Sequence, residues 1–315
     1  MGNEDLGKYF HSIGNLPAAF EAFSRMRQDV SLSKHIVEVS KHLIEVAVEQ
    51  KNWIAVSSNV QKIKSVINTS DEDEKTIQPY LAAADGLAHM DSDDYCGAAM
   101  IFLNTDPGMG ASANTIMSPN DIATYGGLCA LATMNRNEMQ TKVLENSSFR
   151  TYLELEPHIR RAITFFVNSR YSACLSILES YRTDYLLDIH LHRHIDTLYH
   201  LIRSKSIVQY FIPFSCVTLD SLNEQFAAPG KTIEKELVQM IQRGELEARI
   251  DTQNRVCAPH PASTPRICTN ILQASHLTPS SYPHHSPRRS SIHSERLRKR
   301  STSSYPTHEY ISQRP

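Results

Sequence analysis

The chain has 315 residues, enough for one large domain or two smaller ones. Hydrophobic residues make up 41% and charged residues 21%, a composition typical of globular proteins. No apolar run approaches the roughly 18 residues that a transmembrane helix needs, so no membrane span or membrane partner is expected.

The net charge of −2 conceals an asymmetry along the chain. Residues 259–315 carry eight Lys or Arg and two Asp or Glu, a net charge of +6, which leaves −8 on residues 1–258. A mildly acidic body repels phosphates, so nucleic acid is not expected among its partners.

The six cysteines form no C-x-x-C pair, so the sequence predicts neither a zinc site nor a disulfide framework. We expect free thiols in a reducing compartment.

The first 30 residues predict a helix–turn–helix pair with the spacing of tetratricopeptide-like repeats. Gly7 and Ala19 would let the two helices approach, and Phe10 and Phe23 would fill the space between repeats. The same residues would also suit a generic helical core. Apolar residues at helical spacing then predict helices at 33–50, 53–67, 80–90 and 95–103. The carboxylate run Asp71–Glu74 is interpreted as a solvated loop after a polar break at Ser70.

Six short amphipathic segments follow, and each needs its neighbours to bury its apolar face. We therefore predict a helical-repeat solenoid over residues 1–205. In it Gly126 and Gly127 permit close helix contact, and we expect Gly126→Leu to overpack it at a cost of roughly 1–3 kcal/mol. The predicted helices are 120–133, 137–145, 147–154, 157–168, 171–182 and 188–204.

From Ser206 the pattern changes to three helices and a β-hairpin, which is the arrangement of a winged helix spanning residues 206–258. Thr218 is the expected N-cap of the second helix. The predicted helices are 207–217, 218–226 and 232–242, and the predicted strands are 245–250 and 255–258.

Residues 259–315 contain eight Pro, twelve Ser and six His, and such a composition predicts a disordered basic tail. Its run Arg296–Arg300 fits a nuclear import signal and equally a solvated charge cluster.

A search for chemistry finds one cluster, His190, His192, His194 and His200. On a helix His190 and His194 would share a face and could hold a metal, but no third ligand completes a metalloprotease motif. A structural or surface role is favoured. The chain also lacks a G-x-S-x-G elbow and a phosphate-binding loop. We therefore predict no catalytic, metal or cofactor residues, no cofactor and no enzymatic activity.

The winged helix is expected to bind protein. The third helix mixes Lys231 and Lys235 with Glu234 and Glu236, so it would repel phosphates about as strongly as it attracts them. The hairpin instead offers an edge strand that a partner strand can extend.

Three stretches resemble PCI-domain proteins, and among these the members found in the COP9 signalosome. They are NEDLGKYFHSIGNLPAAFEAFSRMRQ (3–28), TYGGLCALATMNRNEMQTKVLENSSFRTYLELEPHIRRAI (124–163) and LHRHIDTLYHLIRSKSIVQYF (191–211). The resemblance covers residues 1–258 and implies that about residues 86–205 form the helical part of the PCI module.

The resemblance implies a non-catalytic scaffold in the complex that removes NEDD8 from cullins, whose metalloprotease lies in another subunit. Other signalosome subunits would bind through winged-helix contacts, and cullin-RING ligases indirectly. The implied hairpin edge comprises Leu246, Ala248, Ile250 and Val256. We expect the protein in the nucleus and cytoplasm. A PCI subunit of the proteasome lid or of an initiation factor complex, and a nucleic-acid-binding winged helix, are the alternatives.

Both ends depart from the family, whose members continue upstream of Met1 and carry a long amphipathic helix after the hairpin. No apolar stripe is present in residues 259–315, and we expect an altered reading frame, an unspliced segment or an incorrect gene model to account for this.

Overall fold

The computed structural model describes residues 2–67, 71–107, 115–227 and 230–259, except for the side chains of Asp29 and residues 71–76. The described part is mainly helical, as predicted, and ends in a small β-sheet. None of its helices is both long and apolar enough to span a bilayer.

The N-terminal part is a stack of helices in which each packs against the next along the chain. The predicted solenoid arrangement is confirmed for these helices. They are α1 (Asn3–Ser12), α2 (Leu16–Asp29), α3 (Ser33–Glu49), α4 (Trp53–Ile67), α5 (Asp71–Asp91), α6 (Tyr95–Leu103) and α7 (Pro119–Thr133).

Phe23 links the first three helices. A Cβ atom added to Gly7 of α1 would lie 2.6 Å from the Phe23 ring, so the ring rests directly on the α1 backbone. Phe23 also stacks on His42 of α3, with ring centroids 5.0 Å apart. Ala19 is fully buried beside it. Small residues therefore let one aromatic ring fill the junction.

The acidic run Asp71–Glu74 was interpreted as a loop, and this is wrong, because α5 begins at Asp71. Carboxylates are favourable in the first turn of a helix, where they face the positive end of the helix dipole. The helix also continues through Pro79, which the helical pattern from Tyr80 onward did not include. Charge density alone was a poor indicator of a loop here.

Helix α7 is the centre of the second half of the stack. It packs against α6 and against three of the helices that follow it. Every residue from Ile122 to Ala132 is buried, as expected for a helix enclosed on all sides. The later helices are α8 (Arg136–Glu138) with a wider π-helical turn at Met139–Leu144, α9 (Ser147–Leu155), α10 (Pro157–Val167), α11 (Tyr171–Leu186) and α12 (Ile195–Phe211).

The predicted helices 188–204 and 207–217 are wrong in their boundaries, because residues 195–211 form the single helix α12. The run Ser204–Ser206 indicated a break, yet all three residues are buried. Ser206 donates to the Ile202 carbonyl at 2.7 Å, and the Lys205 ammonium donates to the Met134 carbonyl. These bonds satisfy the polar groups inside the core. The boundary drawn at 205–206 thus falls within α12.

The winged helix contains α13 (Leu219–Phe226), α14 (Glu234–Gln242) and three strands: β1 (Val217–Thr218), β2 (Ala248–Asp251) and β3 (Val256–Pro259). The sheet is antiparallel in the order β1-β3-β2. Thr218 caps α13 as predicted, accepting from the Ser221 amide at 3.2 Å. The sequence prediction missed β1, which is only two residues long and is followed directly by α13.

Candidate functional site

The sheet has two edge strands, β1 and β2, because β3 pairs on both sides and each of them on one. The longer edge is β2, with four residues against two in β1. Ala248, Arg249, Ile250 and Asp251 lie opposite Pro259, Ala258, Cys257 and Val256. Four consecutive residues at a sheet edge can accept a partner strand through their main chain.

The hydrogen-bonding direction of β2 follows from the pairing of β1 and β3. The Leu219 amide donates to the Arg255 carbonyl at 2.8 Å, so these two residues form a hydrogen-bonded pair. In an antiparallel ladder such pairs recur at every second residue, so Val217 and Cys257 form the next one. The amide and carbonyl of Cys257 therefore point toward β1, and the main-chain groups of its neighbours in β3 point toward β2. In consequence the amides and carbonyls of Ala248 and Ile250 point away from the sheet.

The four residues predicted for this edge lie in different environments. Ala248 and Ile250 lie on β2, the first buried and the second half-buried. Leu246 precedes the strand and is buried in the core. Val256 was placed on the edge, and this is wrong, because it lies on the central strand opposite both Thr218 and Asp251. The added strand β1, absent from the prediction, is what makes β3 central.

Charges on the winged helix are largely balanced. Glu236 of α14 binds Arg203 of α12 at 2.6 Å, and Arg255 binds Asp220 at 2.8 Å. Arg243 lies 3.8 Å from Glu245. Neutralised arginines provide little attraction for a phosphate backbone, which agrees with the expectation that this module binds protein.

The histidine cluster does not share a helix face. His190 lies before a short 3-10 turn at Leu191–Arg193, and His194 follows it, so the predicted helical i, i+4 geometry is wrong. His194 contacts the Tyr95 hydroxyl through Nδ1 at 3.1 Å, whereas His190 packs edge-on against Trp53. The two side chains have different packing partners.

Residues 188–194 connect α11 to α12 and fasten them to the N-terminal stack. The Tyr125 hydroxyl of α7 lies 2.7 and 2.8 Å from the two carboxylate oxygens of Asp188. Asp188 also accepts from the amides of His190 and Leu191, both at 2.8 Å. Farther along, Arg193 binds Asp91 of α5 at 2.7 Å. No pattern in the sequence indicated the contacts of Tyr125 and Arg193, which join residues 63 and 102 positions apart.

Burial lowers the pKa of His158, His190 and His194 below the ordinary value of 6.5. Nearby carboxylates oppose this, namely Glu156, Asp188 and Asp93. Since desolvation is the larger effect for each, the three imidazoles are neutral near pH 7.

Among the residues that the structure describes, one group of side chains lies close enough together to bind a metal ion. Donor atoms of Glu4, Glu38 and His42 lie within 4.8 Å of one another. Glu4 is already ion-paired with Lys8 at 2.5 Å, and His42 contacts Glu45 at 3.4 Å. Ion pairs with neighbouring residues thus explain the positions of Glu4 and His42 without a metal ion. The five cysteines within the described residues are free thiols, and burial raises the pKa of Cys257 to about 11.

Comparison with known families gives two matches. The model of 26S proteasome subunit RPN7 matches residues 1–142, and the PCI domain model matches residues 178–259. The second match contains the whole winged helix and begins within α11.

Several curated relatives named COP9 signalosome complex subunit 1 align with 81% of this chain. Those of Emericella nidulans, Neurospora crassa and Arabidopsis thaliana are 49%, 50% and 40% identical over that part. The chain spans 53%, 60% and 57% of their lengths. A 26S proteasome non-ATPase regulatory subunit 6 of Caenorhabditis elegans is 22% identical. By these matches and its winged-helix architecture, the chain belongs to the family of COP9 signalosome complex subunit 1, within the PCI-domain proteins.

Proposed function

We propose that this chain is a non-catalytic scaffold subunit of the COP9 signalosome, the complex that removes NEDD8 from cullins and so regulates cullin-RING ubiquitin ligases. The observation that carries the proposal is an open β2 edge at the end of a helical stack, in a chain of the subunit 1 family. Other signalosome subunits are the direct partners, and the cullin-RING ligases are contacted indirectly.

In this proposal a strand of a neighbouring subunit extends the sheet beside β2. The outward amides and carbonyls of Ala248 and Ile250 supply the main-chain bonds. Arg249 is exposed and lies between them, so its side chain can contribute to partner selection. Catalysis is assigned to another chain of the complex. The packing of His190 and His194 supports this, since both side chains hold helices together.

A second candidate function is a subunit of the proteasome lid. The match of residues 1–142 to the RPN7 model and the 22% identity to a proteasome regulatory subunit favour it. The signalosome is preferred because identities of 40% to 50% extend over 81% of this chain.

The β2 contact is tested by reconstitution with recombinant signalosome subunits, followed by native mass spectrometry. Ala248→Pro and Ile250→Pro each remove an outward amide without removing a bond to β3, so we expect both to weaken assembly. The control is Val238→Ser, which changes an exposed residue of α14. Melting temperatures of the isolated variants separate lost binding from lost folding.

Full assembly of both proline variants with wild-type stability would contradict the proposed contact. The scaffold role has its own test, because a purified chain incubated with neddylated cullin is expected to release no NEDD8. Release by the single chain would refute that role whatever the proline variants do.

We also propose that the protein resides in the nucleus and cytoplasm. The basic run Arg296–Arg300 motivates the nuclear part and lies outside the described residues. Fluorescence microscopy of the tagged chain tests this, and exclusion from nuclei would contradict it.

A further inference from the structure

A groove lies where the helical repeats meet the winged helix, and none of its residues belongs to β2. Its walls come from Asn135–Asn137, from Ser169 and Tyr171, and from the end of α12 with the connection that follows it. Its volume is about 540 Å³, sufficient for one or two side chains of a bound peptide.

One wall of the groove is apolar and exposed. Ile212 and Phe214 are 49% and 43% exposed, although they lie in a short connection between two packed elements. Phe214 rests on Tyr210 with ring centroids 5.4 Å apart, and Tyr210 packs edge-on against Phe226. The exposed ring is thus held in place before any partner arrives, which lowers the entropic cost of binding.

The lining also includes a cation, Arg136, outside the ion pairs of the described residues. The Arg136 guanidinium donates to the hydroxyl of Ser169 at 2.9 Å, and the ion pairs found among the described residues do not include it. No Asp or Glu is among the described residues that line the groove. A guanidinium beside exposed aromatic surface is the combination found at binding hot spots.

Two side-chain amides complete the surface. Those of Asn137 and Gln209 line the groove and make no hydrogen bond to any described residue. Each offers a donor and an acceptor, which matches the alternating groups of an extended peptide backbone.

We propose that this groove binds an extended peptide segment of a partner protein that combines a carboxylate with a bulky apolar side chain. The carboxylate pairs with Arg136, and the apolar side chain packs on Ile212 and Phe214. Asn137 and Gln209 bond the peptide backbone. The surface is separate from β2, so it can be occupied whether or not the sheet edge is.

The test uses the full chain and two fluorescein-labelled hexapeptides, EDLFDE and its charge-reversed counterpart KKLFKK. Fluorescence anisotropy is expected to show saturable binding of EDLFDE and at least about tenfold weaker binding of KKLFKK, a difference of about 1.4 kcal/mol. Arg136→Gln and Phe214→Ser should each weaken EDLFDE binding about tenfold. Two variants with separate roles keep the test decisive if one of them folds poorly.

Matched controls lie outside the groove. Arg150→Gln removes an exposed arginine of α9, and Leu187→Ser removes an apolar side chain that is 81% exposed. Both are expected to bind EDLFDE as the wild type does. The proposal is overturned if EDLFDE does not bind, which includes the case where another part of this chain fills the groove. Equal binding of KKLFKK, or equal losses in the control variants, overturns it as well.

Discussion

Gly126 and Gly127 let three helices approach the backbone of α7. A Cβ atom on Gly127 would lie 2.4 Å from Ile159 Cγ2 of α10. One on Gly126 would lie 3.0 Å from both Phe102 Cβ of α6 and the Phe149 ring of α9. The lack of a side chain at these two positions thus sets the distance between the central helix and its neighbours.

Gly127→Ala is therefore expected to destabilise the protein by about 1–3 kcal/mol, and Gly126→Leu by at least as much, because packed side chains must move. The measurement is urea unfolding followed by circular dichroism. Gly2→Ala is the control, since its Cβ would meet only a carboxylate oxygen at 3.9 Å. A Gly127→Ala protein as stable as the control would contradict this account of the packing.

Buried imidazoles make stability depend on pH. Folding lowers the pKa of His158, His190 and His194 by burial, so the unfolded chain binds more protons below about pH 6.5. The contribution of these histidines to the free energy of unfolding is complete above pH 6.5, and it is lost as the pH falls below that value. We expect the free energy of unfolding to decrease between pH 7.5 and pH 5.5.

His194→Asn isolates one member of this set, because asparagine can keep a hydrogen bond to Tyr95 without titrating. Its loss of stability between pH 7.5 and pH 5.5 should be smaller than that of the wild type. His192→Asn changes an exposed histidine and serves as the control. Identical pH dependence in all three proteins would exclude His194 as a contributor.

At this scale the sequence predicted which small residues accompany close packing, but not what they contact. Gly7, Gly126 and Gly127 were chosen from helical spacing alone. That Ile159 and Phe102 are their neighbours depends on how distant segments fold together, and spacing within one helix holds no such information.

Among the elements, the connection 188–194 holds the two halves of the helical stack together. The Asp188 carboxylate accepts hydrogen bonds from the Tyr125 hydroxyl and from two backbone amides. These bonds favour a turn where the sequence predicted a helix. A side chain that bonds nearby amides competes with helix formation. A contact with α7 therefore stabilises the turn that precedes α12.

Tyr125→Phe tests this connection. Removing a hydroxyl that bonds a carboxylate is expected to cost about 2 kcal/mol. Hydrogen exchange at the amides of His190 and Leu191 should accelerate more than elsewhere, because Asp188 would be held less tightly. Tyr9→Phe, at a tyrosine that is 51% exposed, should change stability by less than about 0.5 kcal/mol. Unchanged exchange at both amides would contradict the assignment.

Most element boundaries were predictable where a single helix buries one face, as for α3 and α4. Boundaries were predicted wrongly where contacts between distant segments determine the secondary structure. A break was predicted between residues 204 and 207, yet Lys205 and Ser206 lie within α12, where a distant and a local carbonyl accept their hydrogen bonds. The two-residue strand β1 is stabilised by β3, some 40 residues later, and its own sequence is too short to indicate it.

At the scale of the whole molecule, as far as the described residues show it, a helical stack ends in a sheet in which β2 is the longer of two edge strands. The helices bury a continuous core that extends from α3 into the winged helix and includes Cys257 of β3. A continuous core holds the β2 edge in a fixed position on the stack, which is the property that a scaffold requires. The fold class was predictable from sequence, whereas the central position of β3 was not.

The central claim is membership of the COP9 signalosome, and affinity purification of the tagged chain from cells, followed by mass spectrometry, tests it most directly. We predict recovery of signalosome subunits with the wild-type chain and reduced recovery with Ile250→Pro. Recovery of proteasome lid subunits without signalosome subunits would contradict the account.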